Sequence, residues 1–352
     1  MRFLYTTMLL LYALASHAQD GTFKVATYNV DGLPQQLLNL PINAEGPGVE
    51  GTLQIGERLE ASGWDIIGLN EDFNYHDQLT STMTSYNFQT FKGRVTASLG
   101  IIVGILAKTY RCEADGLELA TRNGITVENE RIMAWKPEAV HGYLDNANDS
   151  LTKKGFRYFT VTLPDNHVID VIILHADASS TWDAIDDLLA REAAMEQLYD
   201  FIVGEIKTQN PLIIMGDFNC HSTRDRLQEL FIDRVNTLPG CYMEDVRVTL
   251  DYAEEIDKIL YLNREEASFT LTPTYTEIVR NYKWNNDADE RQLSDHYPVT
   301  ATFNIIDKTP TDISNRTTLH MTSAYYDLQG VRHATPPTRH GVYIQNGRKV
   351  IK

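Results

Sequence analysis

Short apolar runs, each followed or preceded by a polar residue, constrain this chain more than any other feature. Phe23–Tyr28, Ile66–Leu69, Leu99–Leu106, Phe159–Leu163, Val168–Leu174, Leu212–Met215, Lys258–Leu262 and Val299–Phe303 all have strand length. Several are apolar at almost every position, as strands covered on both faces are. Helical patterns separate some of them. Thr52–Ser62 carries Leu53, Ile55 and Leu59 at helical spacing. Trp182–Ile206 places Ile185, Leu188, Leu189, Met195, Leu198 and Ile202 on one stripe. Its polar side, with Asp186, Asp187, Arg191, Glu192 and Glu196, reads as a solvated face. Strands and helices in this mixture predict a layered α/β fold. Leu262–Leu293 reads instead as a polar insertion holding Phe269, Tyr275, Tyr282 and Trp284.

The two ends differ in character from this middle. Arg2, the apolar run Met8–Ala15 and the small residues of Ser16-His17-Ala18 predict a signal peptide over 1–18, cut before Gln19. No later stretch approaches the ~20 apolar residues of a spanning helix. The expected location is therefore periplasmic, cell-surface or secreted. A catalytic domain is expected over 22–306. The tail over 307–352 has Gly-bounded β-like pairs around Tyr326–Val331 and Gly341–Lys349, suggesting a hairpin appendage. It resembles the sorting or surface-retention tails of exported proteins. Cys112, Cys220 and Cys241 are an odd number, which leaves one disulfide plus a thiol, or three thiols. Cys220 reads as a packing residue. The formal charge of −17 argues against strong nucleic-acid binding, which rests on cationic neutralisation of phosphates.

Chemistry concentrates at the strand ends, where open sheets place their sites. Asn29 follows the first run and Glu71 the second; His175 follows Val168–Leu174. Asp217 and Asn219 follow Leu212–Met215, Asp257 precedes Lys258–Leu262, and Asp295 with His296 precedes the last run. Carboxylates and amides suit a hard dication such as Mg²⁺. Two histidines suit proton transfer near neutral pH. Asp217 and Asn219, two apart, share a face of an extended chain. His76, His141, His167 and His221 stand alone and read as surface or core residues, and Asp31 and Asp72 as turn acids. Asp177 reads equally as a site residue or a loop cap. Lys154-Gly155-Phe156-Arg157 offers either a phosphate-facing cation or a solvated strand start.

Asn29, Leu69-Asn70-Glu71, His175, Gly216-Asp217-Phe218-Asn219, Asp257 and Ser294-Asp295-His296-Tyr297-Pro298-Val299 resemble, in order, the endonuclease/exonuclease/phosphatase superfamily. The resemblance spans Phe23 to Asn304. It departs at Asn70, where the family more often has Gln. It implies a DNase-like four-layer α/β sandwich, two packed mixed sheets flanked by helices. It also implies hydrolysis of a phosphoester with Mg²⁺, or Mn²⁺ in its place. By the same resemblance Glu71, Asn29 and Asp295 belong to the metal, Asp217 and Asn219 position water and phosphate, and His296 is a general base oriented by Asp257. His175 binds the phosphate and helps to stabilise the leaving oxygen.

Fold alone does not choose among phosphoesters. Asn29-Val30-Asp31-Gly32-Leu33-Pro34 looks more like bacterial neutral sphingomyelinases than like nucleases or inositol phosphatases. Tyr282-Lys283-Trp284 is an aromatic–basic triplet suited to a membrane interface. The expectation is an exported, monomeric, sphingomyelinase-like phosphodiesterase acting on a phospholipid and touching the membrane through Tyr282 and Trp284. The alternatives are a nuclease or phosphomonoesterase of the same superfamily, or a silent surface-binding protein.

Overall fold

Where successive residues of a strand alternate between two apolar environments, the strand must lie between layers. Val25 packs between two sheets, while its neighbours Ala26 and Tyr28 pack outward under helices. The computed structural model describes residues 21–37, 39–96, 112–140, 152–178, 185–221, 226–246, 256–285 and 290–308, with four short strands between Tyr325 and Ile351. The signal peptide expected over 1–18 and the strand expected at Leu99–Leu106 lie outside the described residues.

In chain order the elements are β1 (Thr22–Asn29), β2 (Gln36–Leu37), β3 (Leu40–Pro41), α1 (Gly48–Ser62), β4 (Ile66–Asn70), α2 (His76–Thr82), β5 (Tyr86–Phe88) and β6 (Glu118–Arg122). There follow β7 (Thr126–Ala134), β8 (Gly155–Thr162), β9 (Val168–His175), α3 (Ile185–Gly204) and β10 (Leu212–Asp217). β11 (Cys241–Asp245), β12 (Asp257–Arg264), β13 (Phe269–Ile278) and β14 (Val299–Asp307) complete the larger unit. One six-stranded sheet has the order β13-β14-β1-β4-β6-β5, the other β11-β12-β10-β9-β8-β7. Each is mixed. β1 pairs parallel with β4 through the α1 crossover, and β9 pairs parallel with β10 through α3.

The central core joins the facing sides of both sheets, with Val25, Ile66, Leu119 and Phe303 against Val171, Ile173, Met215 and Ile259. α1 covers the first sheet with Ile55 and Leu59, and α3 covers the second with Met195, Leu198, Phe201 and Ile202. The result is the expected four-layer α/β sandwich. Gly68 marks a close approach of the sheets, since a Cβ there would lie 2.8 Å from Ile173 Cγ2 and 3.2 Å from Met215.

Three expectations need correction. In α3, Ile185 and Leu189 are exposed, while Asp187 and Arg191 are buried. In the first half of the helix the buried face runs through Asp187, Ala190, Arg191 and Ala194, and only in the second half do Met195, Leu198, Phe201 and Ile202 carry it. Leu262–Leu293 is not an insertion, because Phe269–Ile278 is a full strand paired with β14. A register shift between Pro273 and Tyr275 interrupts the alternation that would have revealed it. Tyr282 is buried, stacked on Trp64 at 6.2 Å and edge-on to Tyr28 at 5.3 Å. Its ring fills the outer core and is not available to a membrane. Trp284 is half-buried against the same cluster.

None of Cys112, Cys220 and Cys241 is in a disulfide, and Cys220 lies in the core beneath α3. The residues Thr309–Lys352 form a second compact unit, separate from Met1–Lys308. Its strands β15 (Tyr325–Asp327), β16 (Arg332–His333), β17 (Val342–Gln345) and β18 (Arg348–Ile351) pair antiparallel in the order β16-β15-β17-β18.

Arg157, in a segment read from sequence as either a phosphate-facing cation or a solvated strand start, is fully buried in β8. It donates to both carboxylate oxygens of Asp115, at 2.8 and 2.6 Å, and to Glu130 at 3.1 Å. Removing one member of such a pair strands the other charge away from water. Arg157→Leu should therefore cost about 3–5 kcal/mol in urea unfolding. A loss below about 1 kcal/mol would mean the pair contributes no more than an exposed one.

Candidate active site

Register brings the polar strand ends to one edge of the sandwich. Asp217, the last residue of β10, is paired with His175 at the end of β9 and with Asp257 at the start of β12. In the other sheet Asn29 at the end of β1 is paired with Asn70 at the end of β4, and Glu71 follows. β14 starts at the same edge, with Val299 opposite Thr27, so the preceding Ser294-Asp295-His296 lies beside Asn29. Ser294 Oγ donates to the Asn29 carbonyl at 2.7 Å and accepts from the His296 amide at 3.1 Å.

Hydrogen bonds across the two sheets fix this edge. Asn29 Nδ2 donates to Glu71 Oε1 at 2.9 Å and to Asp217 Oδ2 at 3.3 Å, while its Oδ1 accepts from the Asp31 amide at 3.0 Å. Asn29 thus bridges two carboxylates as a donor. Asn70 Nδ2 donates to the Leu174 carbonyl of the opposite sheet at 2.6 Å. Asn219 donates its amide to Asp217 Oδ1 at 2.9 Å and its side chain to the Ala176 carbonyl at 3.2 Å. Glu71 and Asn219 both adopt the left-handed backbone, at φ of 59° and 49°. Non-glycine residues held there carry strain that the surrounding hydrogen bonds must sustain.

The edge opens into a cavity of about 300 Å³ lined by Asp31, Glu71, Lys154, His175, Asp217, Asn219, Asp295 and His296, with Leu33, Ile42 and Phe73 as its apolar wall. Every residue expected at the site comes to this edge. Asp257 lies one step behind, its Oδ2 at 2.6 Å from His296 Nδ1. His296 Nε2 points back toward Asp217 Oδ2 at 3.8 Å and Asp295 Oδ1 at 3.9 Å. His175 Nε2 lies 3.5 Å from Asp217 Oδ2. Asp295 is the most exposed of the set.

The two histidines face opposite electrostatics. Burial would lower the His296 pKa, yet Asp257, then Asp217 and Asp295, hold it well above the ordinary imidazole range. Burial, then Lys154 and His296, push His175 well below it. The carboxylates are crowded. Burial and the neighbouring Asp295 raise Glu71 to about 7, against the opposing pull of Lys154 and Asn29. Burial, Asp295 and Glu71 raise Asp31 to about 8. Burial raises Asp217 to about 6, against the pull of His296. Acids so placed, with oxygen donors turned into one cavity, fit a hard dication, which would neutralise the repulsion among them. Asp217, Asp257 and His296 also bring one ligand-capable atom each within 4.8 Å of one another.

Sequence reasoning left two lining residues undecided or aside. Lys154 is buried, and its Nζ donates to the Ala176 carbonyl at 3.2 Å. Its signal is positional, since β8 runs antiparallel to β9 and so begins at the edge where β9 ends. Asp31, read as a turn acid, enters the cavity because its left-handed φ of 52° turns the chain back over Glu71.

Comparisons with known proteins agree with this geometry. Sphingomyelinases of Mycobacterium bovis and Mycobacterium tuberculosis are 26% identical to the chain over 300 residues, 82% of this chain and 54% of theirs. The chain thus spans about half the length of these relatives. A mutant beta toxin from Staphylococcus aureus, with bound magnesium ions, superposes with a TM-score of 0.56 at 18% identity, over 82% of this chain and 100% of that one. D. rerio TDP2 complexed with a single-strand DNA product gives a TM-score of 0.53 at 14% identity, over 81% and 100%. Both structures share the fold. The Endonuclease/Exonuclease/phosphatase family matches residues 26–296, from β1 through His296, and the chain belongs to that family.

Proposed function

We propose that the chain is an exported, metal-dependent phosphodiesterase that hydrolyses the head-group phosphodiester of a phospholipid, in the manner of a sphingomyelinase. The observation that carries the reading is the convergence of Asn29, Glu71, His175, Asp217, Asn219 and His296 on one cavity, with Asp257 fixed behind His296. The choice of phospholipid rests on the similarity to mycobacterial sphingomyelinases over 82% of the chain. The charge of −17 weighs against nucleic acid as substrate. Export rests on the sequence of 1–18, and the tail unit fits a sorting or surface-retention role.

In this mechanism Glu71 would be the principal ligand of Mg²⁺, or of Mn²⁺ in its place, and Asp295 would assist it. Asn29 holds the Glu71 and Asp217 carboxylates in place. The ion supplies Lewis-acid stabilisation of charge at the phosphoryl oxygens. Asp217 and Asn219 orient the attacking water. His296 takes its proton through Nε2, and Asp257 fixes the ring through Nδ1 and stabilises the imidazolium that forms. The water oxygen bonds to phosphorus as the ester bond to the lipid alcohol breaks; the departing alkoxide takes a proton from solvent water, and the His296 imidazolium returns its proton to solvent. His175, kept neutral by its surroundings, donates a hydrogen bond to a phosphoryl oxygen, and Lys154 adds positive charge beside it.

Glu71→Gln should abolish hydrolysis at every Mg²⁺ concentration while leaving the circular dichroism spectrum unchanged. Full turnover in that variant would remove Glu71 from the metal. His296→Ala and His175→Ala should each lower kcat by at least ~10²-fold. Asp257→Asn removes the first of the charges that raise His296. Because a base acts only when deprotonated, the acidic limb of the rate–pH profile should move to lower pH in that variant, with a lower plateau. An unmoved limb would place the base elsewhere. Sphingomyelin vesicles, plasmid DNA and a soluble phosphomonoester, each assayed with Mg²⁺, decide the substrate. Cleavage of DNA without release of a phospholipid head group would replace this reading with the nuclease one.

A further inference from the structure

A second polar cluster lies outside the cleft, and the proposed reaction does not use it. Asp72 follows Glu71, His76 opens α2 one helical turn later, and Glu118 opens β6 beside β4. One ligand-capable atom from each of the three lies within 4.8 Å of the others. Leu117 and Leu119 point into the core between the sheets, so Glu118 points to the outer face. His76 Nδ1 sits 2.6 Å from Asp72 Oδ2. Phe91 stacks on the imidazole at 4.0 Å and Phe88 meets it edge-on at 5.9 Å, which fixes the ring.

Glu118 gives an independent indication. Its side chain is 0% exposed, and Oε1 accepts the Gln89 amide at 2.6 Å. Oε2 is buried with no hydrogen-bond donor among the described residues. A carboxylate oxygen removed from water without a donor is costly, and native structures rarely leave one so. Burial, then the charge of Asp72, raises the Glu118 pKa to about 8. Arg157 is nearby, but its guanidinium is already held by Asp115, Glu130 and the Thr90 carbonyl.

We propose that Asp72, His76 and Glu118 form a second cation site, separate from the cleft, that takes a borderline divalent ion of the Zn²⁺ type. One imidazole with two carboxylates is a Zn²⁺ donor set, with water completing the shell. Mg²⁺ prefers oxygen donors alone and keeps most of its water, so the two sites differ in the ion they select. An ion here ties β4, β6 and α2 together at the turn that carries Glu71. The site therefore braces the catalytic carboxylate from behind without touching substrate.

The test uses the full chain and Zn²⁺ alone, with no substrate, so its outcome is independent of the phosphodiesterase reading. Glu71→Gln weakens metal binding in the cleft, and Glu118→Gln, nearly isosteric, removes a ligand from the second site. Equilibrium dialysis should find one fewer Zn²⁺ per chain in the double variant than in Glu71→Gln. Zn²⁺ at about 100 times its Kd should raise the Tm of Glu71→Gln by ~3–5 °C more than that of the double variant. If Glu118→Gln does not fold, His76→Gln on the same background reads the same difference. Equal Zn²⁺ stoichiometry in the single and double variants, or an equal rise in Tm, would overturn the proposal and leave Glu118 a buried protonated acid.

Discussion

The arrangement depends on two sheets packed face to face, with their strand ends held in register by a few polar contacts. Asn29 reaches from one sheet to Asp217 in the other, and Asn70 reaches to the Leu174 carbonyl. Apolar packing fixes how close the sheets lie, and Gly68 leaves room for Ile173 and Met215 at the close approach. Packing alone is tolerant of sliding, since any apolar surface satisfies another. Directional hydrogen bonds at the open edge remove that freedom and place carboxylates from different sheets within a few ångströms.

That placement has an electrostatic consequence. Asp31, Glu71, Asp217 and Asp295 share a cavity whose cationic side chains include Lys154 and His296. Burial raises the pKa of Glu71, Asp31 and Asp217, with Asp295 adding repulsion at the first two and Asp257 at the third, so the folded protein holds unfavourable charge where a dication fits. Stability is given up locally so that the site is organised before substrate arrives, as at other preorganised sites. The strained backbone at Glu71 and Asn219 belongs to the same trade.

The flanks follow a different logic from the cleft. α3 meets its sheet through Met195, Leu198, Phe201 and Ile202, while its first half buries Asp187, Ala190 and Arg191 and leaves Ile185 and Leu189 outside. On the other sheet the outer face is mostly apolar under α1, but under α2 it turns polar around Asp72, His76 and Glu118. Tyr282 belongs to the apolar part, wedged between Trp64 and Tyr28. Of the aromatic–basic triplet, Tyr282 therefore serves the core, while Lys283 pairs with Glu290 at the surface and Trp284 is half-buried.

The sequence by itself determined β1, β4, β8, β9, β10, β12 and β14 and their polar ends, because an apolar run of strand length bounded by Asn, Asp, Glu or His has few other uses in a layered fold. Asn29, Glu71, His175, Asp217 and His296 were legible for that reason. β13 was not, since the shift at Pro273 breaks the alternation that marks a strand. The burial of Asp187, Arg191 and Arg157 was equally hidden, because charged side chains are buried only when distant partners or packing permit it. Tertiary structure alone decided that Lys154 and Asp31 enter the cavity, that Asn29 donates to both Glu71 and Asp217, and that Glu118 faces Asp72 and His76. Each depends on the register between strands far apart in the chain, which local periodicity does not encode.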